Sequence, residues 1–111
     1  GVTESSGVWS FPSTGKYLIV AHGDHLLNNN SAASFNIYTT VDNSTYTFRT
    51  SGATETSHSS SYVTSSCSYI MNVTDVSNDK VKFQTSGYSS GQTLRGNTVQ
   101  NETSVMFIKL A

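Results

Sequence analysis

The chain has 111 residues, a common size for one domain, and a net charge of -1. Its 20 serines and 15 threonines give nearly a third of the chain a small hydroxyl group, whereas only 12% of the residues are charged. No cluster of Lys and Arg could neutralise phosphates, and no apolar run approaches the roughly 18 residues of a membrane span. We therefore expect a single domain over residues 1–111, with residues 1–7 as a lead-in, no nucleic-acid partner and no membrane insertion.

The first long predicted strand follows a proline turn. Residues 11–15, FPSTG, contain the only proline and fit a reverse turn with Pro at its second position. In the next segment, KYLIVAH, the side chains of Tyr17, Ile19 and Ala21 share one face, and Leu18 and Val20 make the opposite face apolar as well. A strand that is apolar on both faces is typically buried on both.

Residues 22–32, HGDHLLNNNSA, are predicted to form a long loop. They include the only dense cluster of metal-capable side chains, His22, Asp24 and His25. A zinc site would need fixed geometry and supporting hydrogen bonds, which a loop rich in Asn and Gly does not promise. These three residues are the weak candidates for a metal site, but the sequence favours a solvated loop with an Asp–His hydrogen bond. We expect no metal and no cofactor.

The middle of the chain alternates between apolar and polar residues with period two, which predicts half-buried strands. Tyr46 and Phe48 are expected in the core, as is Cys67, the only cysteine. Asp42-Asn43 suits a tight hairpin between the first two of these strands. The segments are SFNIYTT (34–40), TYTFRT (45–50), YVTSSCSYIMNV (62–73) and KVKFQT (80–85).

A second long polar loop is predicted over residues 86–102, with a short strand around Thr93 to Arg95. Tyr88 lies in this loop without an alternation partner. It either contacts a glycan or protein ligand, since Tyr combines an apolar ring with a polar tip, or anchors the loop. Arg95 is the second candidate for ligand contact in this loop.

The C-terminal segment SVMFIKL, residues 104–110, is also apolar on both faces. Each sheet of a two-sheet sandwich buries one face, so the other face must be covered by a second copy of the chain or by the 86–102 loop. His22 and Lys109 suit the rim of an interface better than a core, so we expect their faces to meet a sister chain. The predicted interface residues are Leu18, Val20, His22, Val105, Phe107 and Lys109.

The overall pattern predicts an all-β fold, an antiparallel two-sheet jelly-roll sandwich with seven or eight short strands. No window shows a helical period. We expect no enzyme activity, because no G-x-S-x-G motif is present and the acidic residues are too dispersed for paired-carboxylate chemistry.

Three segments, taken in order, resemble C1q/TNF-like jelly-roll domains. They are GVWSFPSTGKYLIVAH, in which Phe11, Pro12, Gly15 and Tyr17 match; SNDKVKFQTS, in which Asp79, Lys80, Val81 and Phe83 match; and the closing ETSVMFIKLA. The W-x-F-P-S-T-G opening and the F-x-K-L ending are most similar to C1q-like virion proteins of bacteriophages, marine phages in particular. The family's first strand should lie upstream of Val8, so we expect that strand to be missing or supplied upstream.

The resemblance implies a compact homotrimer on the virion surface, acting as a capsid decoration, a head fibre, or a tail fibre or spike. Its partners would be its own copies, other virion proteins and a host-surface glycan. The alternative is a secreted C1q/TNF-like ligand or glycan-binding module of a cellular organism. The resemblance does not distinguish between these roles, because proteins with the same fold perform different functions through different surface residues.

Overall fold

A computed structural model describes residues 1–28 and 30–111. These residues form two antiparallel β-sheets packed face to face and no helix, which confirms the predicted all-β sandwich. Within them, accordingly, no helix long and apolar enough to cross a membrane is found. The strands are β1 (Thr3–Ser5), β2 (Val8–Ser10), β3 (Gly15–Leu27), β4 (Ser31–Thr40), β5 (Thr47–Thr56), β6 (Ser61–Val73), β7 (Lys80–Ser86), β8 (Thr93–Leu94) and β9 (Ser104–Lys109).

The strand order of the first sheet is β1-β2-β7-β4-β5. In the second sheet, β3 is central: β6 pairs with its whole length, while β9 and β8 pair with successive parts of its other edge. The chain passes between the sheets repeatedly, for example from β2 to β3 and from β5 to β6. Residues of the predicted lead-in also contribute, because β1 forms a hairpin with β2 through Ser6 and Gly7, both with positive φ.

Strand β3 is longer than the sequence predicts. The expected loop from residue 22 is wrong, because the strand continues to Leu27. Buried and partly exposed residues alternate throughout, and Gly23, His25 and Leu27 extend the buried face of Tyr17, Ile19 and Ala21. A glycine and a histidine at inward positions hide this alternation in the sequence.

The core lies between β3 and β6 on one side and β4 and β7 on the other. Ile19, Ile37 and Val81 are fully buried there. Aromatic rings fill the end near the proline turn, where the ring of Phe107 lies 5.4 Å from Trp9 and 5.8 Å from Phe11, measured between centroids. The cluster of buried residues consists of Phe11, Tyr17, Ile19, Ala21, Phe35, Ile37, Met71, Val73 and Val81.

The predicted hairpin between β4 and β5 is present, but it is not tight, because β4 ends at Thr40 and β5 begins at Thr47. The Asp42 carboxylate accepts hydrogen bonds from the backbone N–H groups of Ser44 and Thr45, at 2.9 and 2.8 Å, and these bonds lower its pKa. Asn43 has a φ of 57°, which this residue type tolerates better than most.

The core assignment of Phe48 is wrong, since 52% of this residue is exposed. The pairing of β4 with β5 shifts between Ile37 and Tyr38, so Ile37 pairs with Thr50 but Tyr38 pairs with Phe48. The extra residue, Arg49, donates from Nε to Thr39 Oγ1 at 2.8 Å. Because a shift of one residue moves every following side chain to the other face, this bulge turns Phe48 outward.

Candidate functional site

The outer face of the second sheet carries a continuous group of aliphatic side chains. Leu18 lies between its pairing partners Ile70 and Ile108, and in the next row Val20 lies beside Met106. These side chains are partly or largely exposed, with Ile70 at 55% and Met106 at 51%. We call this surface the apolar face; its members are Leu18, Val20, Ile70, Met106, Ile108 and Leu110.

The predicted division of β9 into inner and outer residues is reversed. Directly opposed residues of paired strands share a face, and Phe107 lies opposite the buried Ile19, as Val105 lies opposite Ala21. Val105 and Phe107 therefore face the core and cannot form the outer contact that the sequence suggested. By contrast, Leu18, Val20 and His22 do lie on the outer side of β3, as expected.

Lys109 shares the inner side with Phe107 and lies opposite Tyr17. It lies at the end of the sheet, where its long side chain extends out of the sandwich and Nζ donates to Ser13 Oγ at 3.0 Å. The charge of Lys109 suggested an interface rim, but position at a strand end explains it equally well. Only the register between β3 and β9 distinguishes an interface rim from a strand end, and the sequence does not show that register.

The polar segment after β7 does not cover the apolar face. Its short strand β8, at the predicted position, pairs with His25 and Leu26 at the opposite end of β3. Among the described residues, moreover, no strand pairs with the free edge of β9. The apolar face of a single chain is therefore open to solvent beside an unpaired strand edge.

The metal-capable residues of the HGDH motif do not come together. Because they lie on a strand rather than a loop, His25 faces the interior, whereas His22 and Asp24 face outward. Over residues 1–28 and 30–111, no three His, Cys, Asp or Glu side chains are arranged to hold an ion. The three candidate ligands thus do not form one site.

His25 is fully buried and connects two strands to the 86–102 segment. Its Nε2 is 2.7 Å from Ser65 Oγ, and its Nδ1 is hydrogen-bonded to the Tyr88 hydroxyl. The missing side chain of Gly23 leaves room for the ring, since a Cβ there would lie 2.9 Å from Nε2. Burial lowers the pKa of His25 below the usual 6.5, and the nearby Asp24 carboxylate partly opposes this shift.

Of the two interpretations of Tyr88, the structure supports the loop anchor. The ring packs edge-to-face on His25, with centroids 5.6 Å apart, and the hydroxyl is engaged inside the protein. The Ser65–His25 pair has the residue types of a nucleophile and a base, but both are buried and the third partner is a phenol rather than a carboxylate. This geometry suits a structural connection.

Arg95 also serves to hold its own segment. Its guanidinium bridges Asp24 at 3.1 Å and Glu102 at 3.2 Å, and it lies 4.0 Å from the ring centroid of Tyr62. The backbone is fixed as well, since Arg95 N–H donates to the Asp24 carbonyl at 2.7 Å. With these partners in place, the predicted ligand-contact role of Arg95 has no support from the geometry.

Comparison with protein-family models gives no match, and comparison with curated proteins gives none either. The family resemblance of the sequence motifs therefore stays a prediction, and function must be argued from the surfaces. Sequence reasoning missed the outward positions of Met106, Ile108 and Leu110, because the alternation in residues 104–110 can be assigned in either orientation. Ile70, by contrast, lies on the outer face of β6, where the alternation of residues 62–73 places it.

Proposed function

We propose that this chain is a non-enzymatic assembly and binding protein that forms a homotrimer through the apolar face. The observation that carries this proposal is the pair of aliphatic rows, Ile70-Leu18-Ile108 and Val20-Met106, uncovered in the single chain. Contiguous exposed apolar surface on an otherwise polar protein is typical of an interaction site.

The chemistry of the apolar face suits a second copy of the same chain. No charged side chain lies within these rows. On one side they adjoin the small hydroxyl residues Ser66, Ser68 and Ser104, which leave room for close approach, and on the other side the exposed residues Lys16 and Asn72, which would lie at the rim of a contact.

Complete burial of one aliphatic side chain contributes about 1.5–3 kcal/mol. Because Ile70, Met106, Ile108 and Leu110 keep 40–55% of their surface exposed in the single chain, roughly half of that gain remains for each of them on association. The number of copies, three, follows from the resemblance to C1q/TNF-like domains.

The proposed location is the surface of a bacteriophage particle. The motifs at Trp9 to Gly15 and Phe107 to Leu110 support this assignment through their similarity to phage virion proteins. In that setting the trimer decorates the capsid or ends a fibre, with other virion proteins as neighbours and a host-surface glycan as a ligand.

Light scattering of the purified chain tests the assembly. We expect about three times the monomer mass of 12.0 kDa, and a stable monomer at micromolar concentration would contradict the proposal. Mass spectrometry of particles purified from the source tests the location. The chain should be recovered with the intact particles, and its absence from them would exclude the virion role.

A further inference from the structure

The outer face of the first sheet carries a different surface, built on aromatic rings. Tyr38 and Phe48 lie side by side on β4 and β5, with centroids 5.5 Å apart in an edge-to-face arrangement. Lys82 flanks Tyr38 on β7, and its Nζ lies 4.1 Å from the ring centroid of Tyr46. We call Tyr38, Tyr46, Phe48 and Lys82 the aromatic platform. The bulge at Arg49 creates it by turning Phe48 outward.

A row of fixed polar groups adjoins the aromatic platform on the same face. Asn36 lies between Ser51 and Gln84 on the neighbouring strands. Its side chain is 3% exposed and held at both ends, because Oδ1 accepts from Ser51 Oγ at 2.7 Å and Nδ2 donates to Ser86 Oγ at 3.3 Å. Ser51 and Gln84 are exposed, so their remaining hydrogen-bonding capacity points to solvent.

The face continues into a shallow depression. The next row contains Ser34, Ala53 and Ser86, and the depression is lined by these residues together with Ala32 and Gly87. Successive outward positions on a strand are about 6.8 Å apart, so the three rows span about 14 Å. That length accommodates a short oligosaccharide lying along the strands.

We propose that this face binds a carbohydrate, with one sugar ring against Phe48 and its hydroxyl groups toward Ser51 and Gln84. The C–H face of a sugar packs on an aromatic ring, and a rigid ring with two rotatable bonds loses little entropy on binding. Small hydroxyl and amide groups supply both donors and acceptors for sugar hydroxyls. None of the described residues in the three rows is a carboxylate. The carboxylate of Glu55, opposite Ala32 at the end of the depression, belongs to an exposed residue and can stay hydrated when a sugar lies on the three rows.

A protein partner fits this face less well. Phe48 is the one largely exposed apolar side chain in these rows, whereas the apolar face of the other sheet presents several adjacent ones. A stable protein contact buries about 800 Å² on each partner around a desolvated apolar centre. A protein contact of that area on this face would also have to cover the polar rows beside the aromatic platform, and their hydroxyl and amide groups would lose their contact with water.

The carbohydrate site deepens the proposed function by placing ligand contact on a sheet rather than on the loops. The carbohydrate proposal depends on the proposed function in one respect only, namely that the sugar comes from a host surface. Trimer formation involves the other sheet, so the two proposals can fail separately. An assembly that does not bind sugar contradicts the site alone, and a sugar-binding monomer contradicts the trimer alone.

The test is an array of neutral and acidic bacterial polysaccharides probed with the full chain and with Phe48→Ala. We expect the wild-type chain to bind at least one polysaccharide, and Phe48→Ala to reduce the affinity for it by at least about tenfold. Gln84→Ala should reduce that affinity less. Because both residues are exposed, the folded state should persist, which circular dichroism checks.

Val99→Ala is the matched control, since Val99 is 91% exposed in the segment after β8 and belongs to neither face. It should bind like the wild-type chain. Absence of binding to every polysaccharide would overturn the proposal, as would equal binding by Phe48→Ala. A lower assembly mass for Phe48→Ala would also overturn it, because Phe48 would then be a contact between copies.

Discussion

The two sheets of this sandwich present opposite kinds of outer surface. Outside β3, β6 and β9 lie two adjacent rows of aliphatic side chains, whereas outside β4, β5 and β7 one row with aromatic rings adjoins rows of hydroxyl and amide groups. Surfaces of the first kind associate by burial of apolar area, and those of the second kind can also recognise the shape and hydroxyl pattern of a ligand. We therefore propose that assembly and recognition depend on different sheets of one small domain.

The largest expected loss of stability concerns β9, and it tests which of its side chains face the core. Phe107→Ala, introduced into the Ile108→Glu variant that we expect to be monomeric, should lower the free energy of unfolding by about 3 kcal/mol, because Phe107 packs against Trp9 and Phe11. Met106→Ala in the same background should lower it by less than about 1 kcal/mol, since Met106 faces solvent. Urea denaturation measures both; equal losses would contradict the orientation of β9.

A smaller loss is expected where β5 passes β6. A Cβ on Gly52 would lie 2.3 Å from the backbone oxygen of Ser66, so Gly52→Ala must separate the two strands. We expect a loss of about 1–3 kcal/mol in unfolding free energy. Gly96→Ala is the control, because a Cβ there meets nothing within 4 Å. If thermal unfolding showed both variants to be unchanged, the close approach of the sheets at this corner would be wrong.

Protonation of His25 should weaken the attachment of the 86–102 segment. The folded-state pKa is lowered, so this group's contribution to stability is complete above the unfolded value near 6.5 and is lost as pH falls through the lowered folded pKa. His25→Gln should remove this part of the pH dependence of unfolding, whereas His58→Gln, at an exposed position, should preserve it. Identical pH profiles for wild type and His25→Gln would refute the assignment.

The smallest effect is expected for the ion pairs of Arg95. Arg95→Ala should lower stability by about 0.5–1 kcal/mol, because the guanidinium is partly exposed and screened. The difference from wild type should shrink as salt is raised from about 0.05 to 0.5 M. A loss that does not change with salt would show that Arg95 acts through packing on Tyr62 instead of through charge.

The sequence predicted the fold class well because period-two alternation is a local signal. It located the strands at 62–73 and 80–85, the Asp42-Asn43 hairpin and the short strand near Thr93. It failed where local pattern is ambiguous: Gly23 and His25 continue a buried face without being apolar, so a strand resembled a loop.

The candidate site was harder to predict, because it depends on which strands pair and in which register. A segment that is apolar on both faces, such as 104–110, can be assigned in either orientation, and Lys109 favoured the wrong one. The exposure of Phe48 depends on one bulge residue, Arg49, which has no signature in the sequence. Both surfaces could therefore be identified only from the pairing and register of the strands.

Sedimentation velocity of two charge variants tests whether the apolar face, and not the aromatic platform, joins the copies. Ile108→Glu places a charge on the apolar face, and Phe48→Glu places one on the aromatic platform. We expect Ile108→Glu to sediment as a monomer of 12.0 kDa and Phe48→Glu to keep the mass of the wild-type assembly. An unchanged assembly for Ile108→Glu, or dissociation by Phe48→Glu, would contradict this expectation.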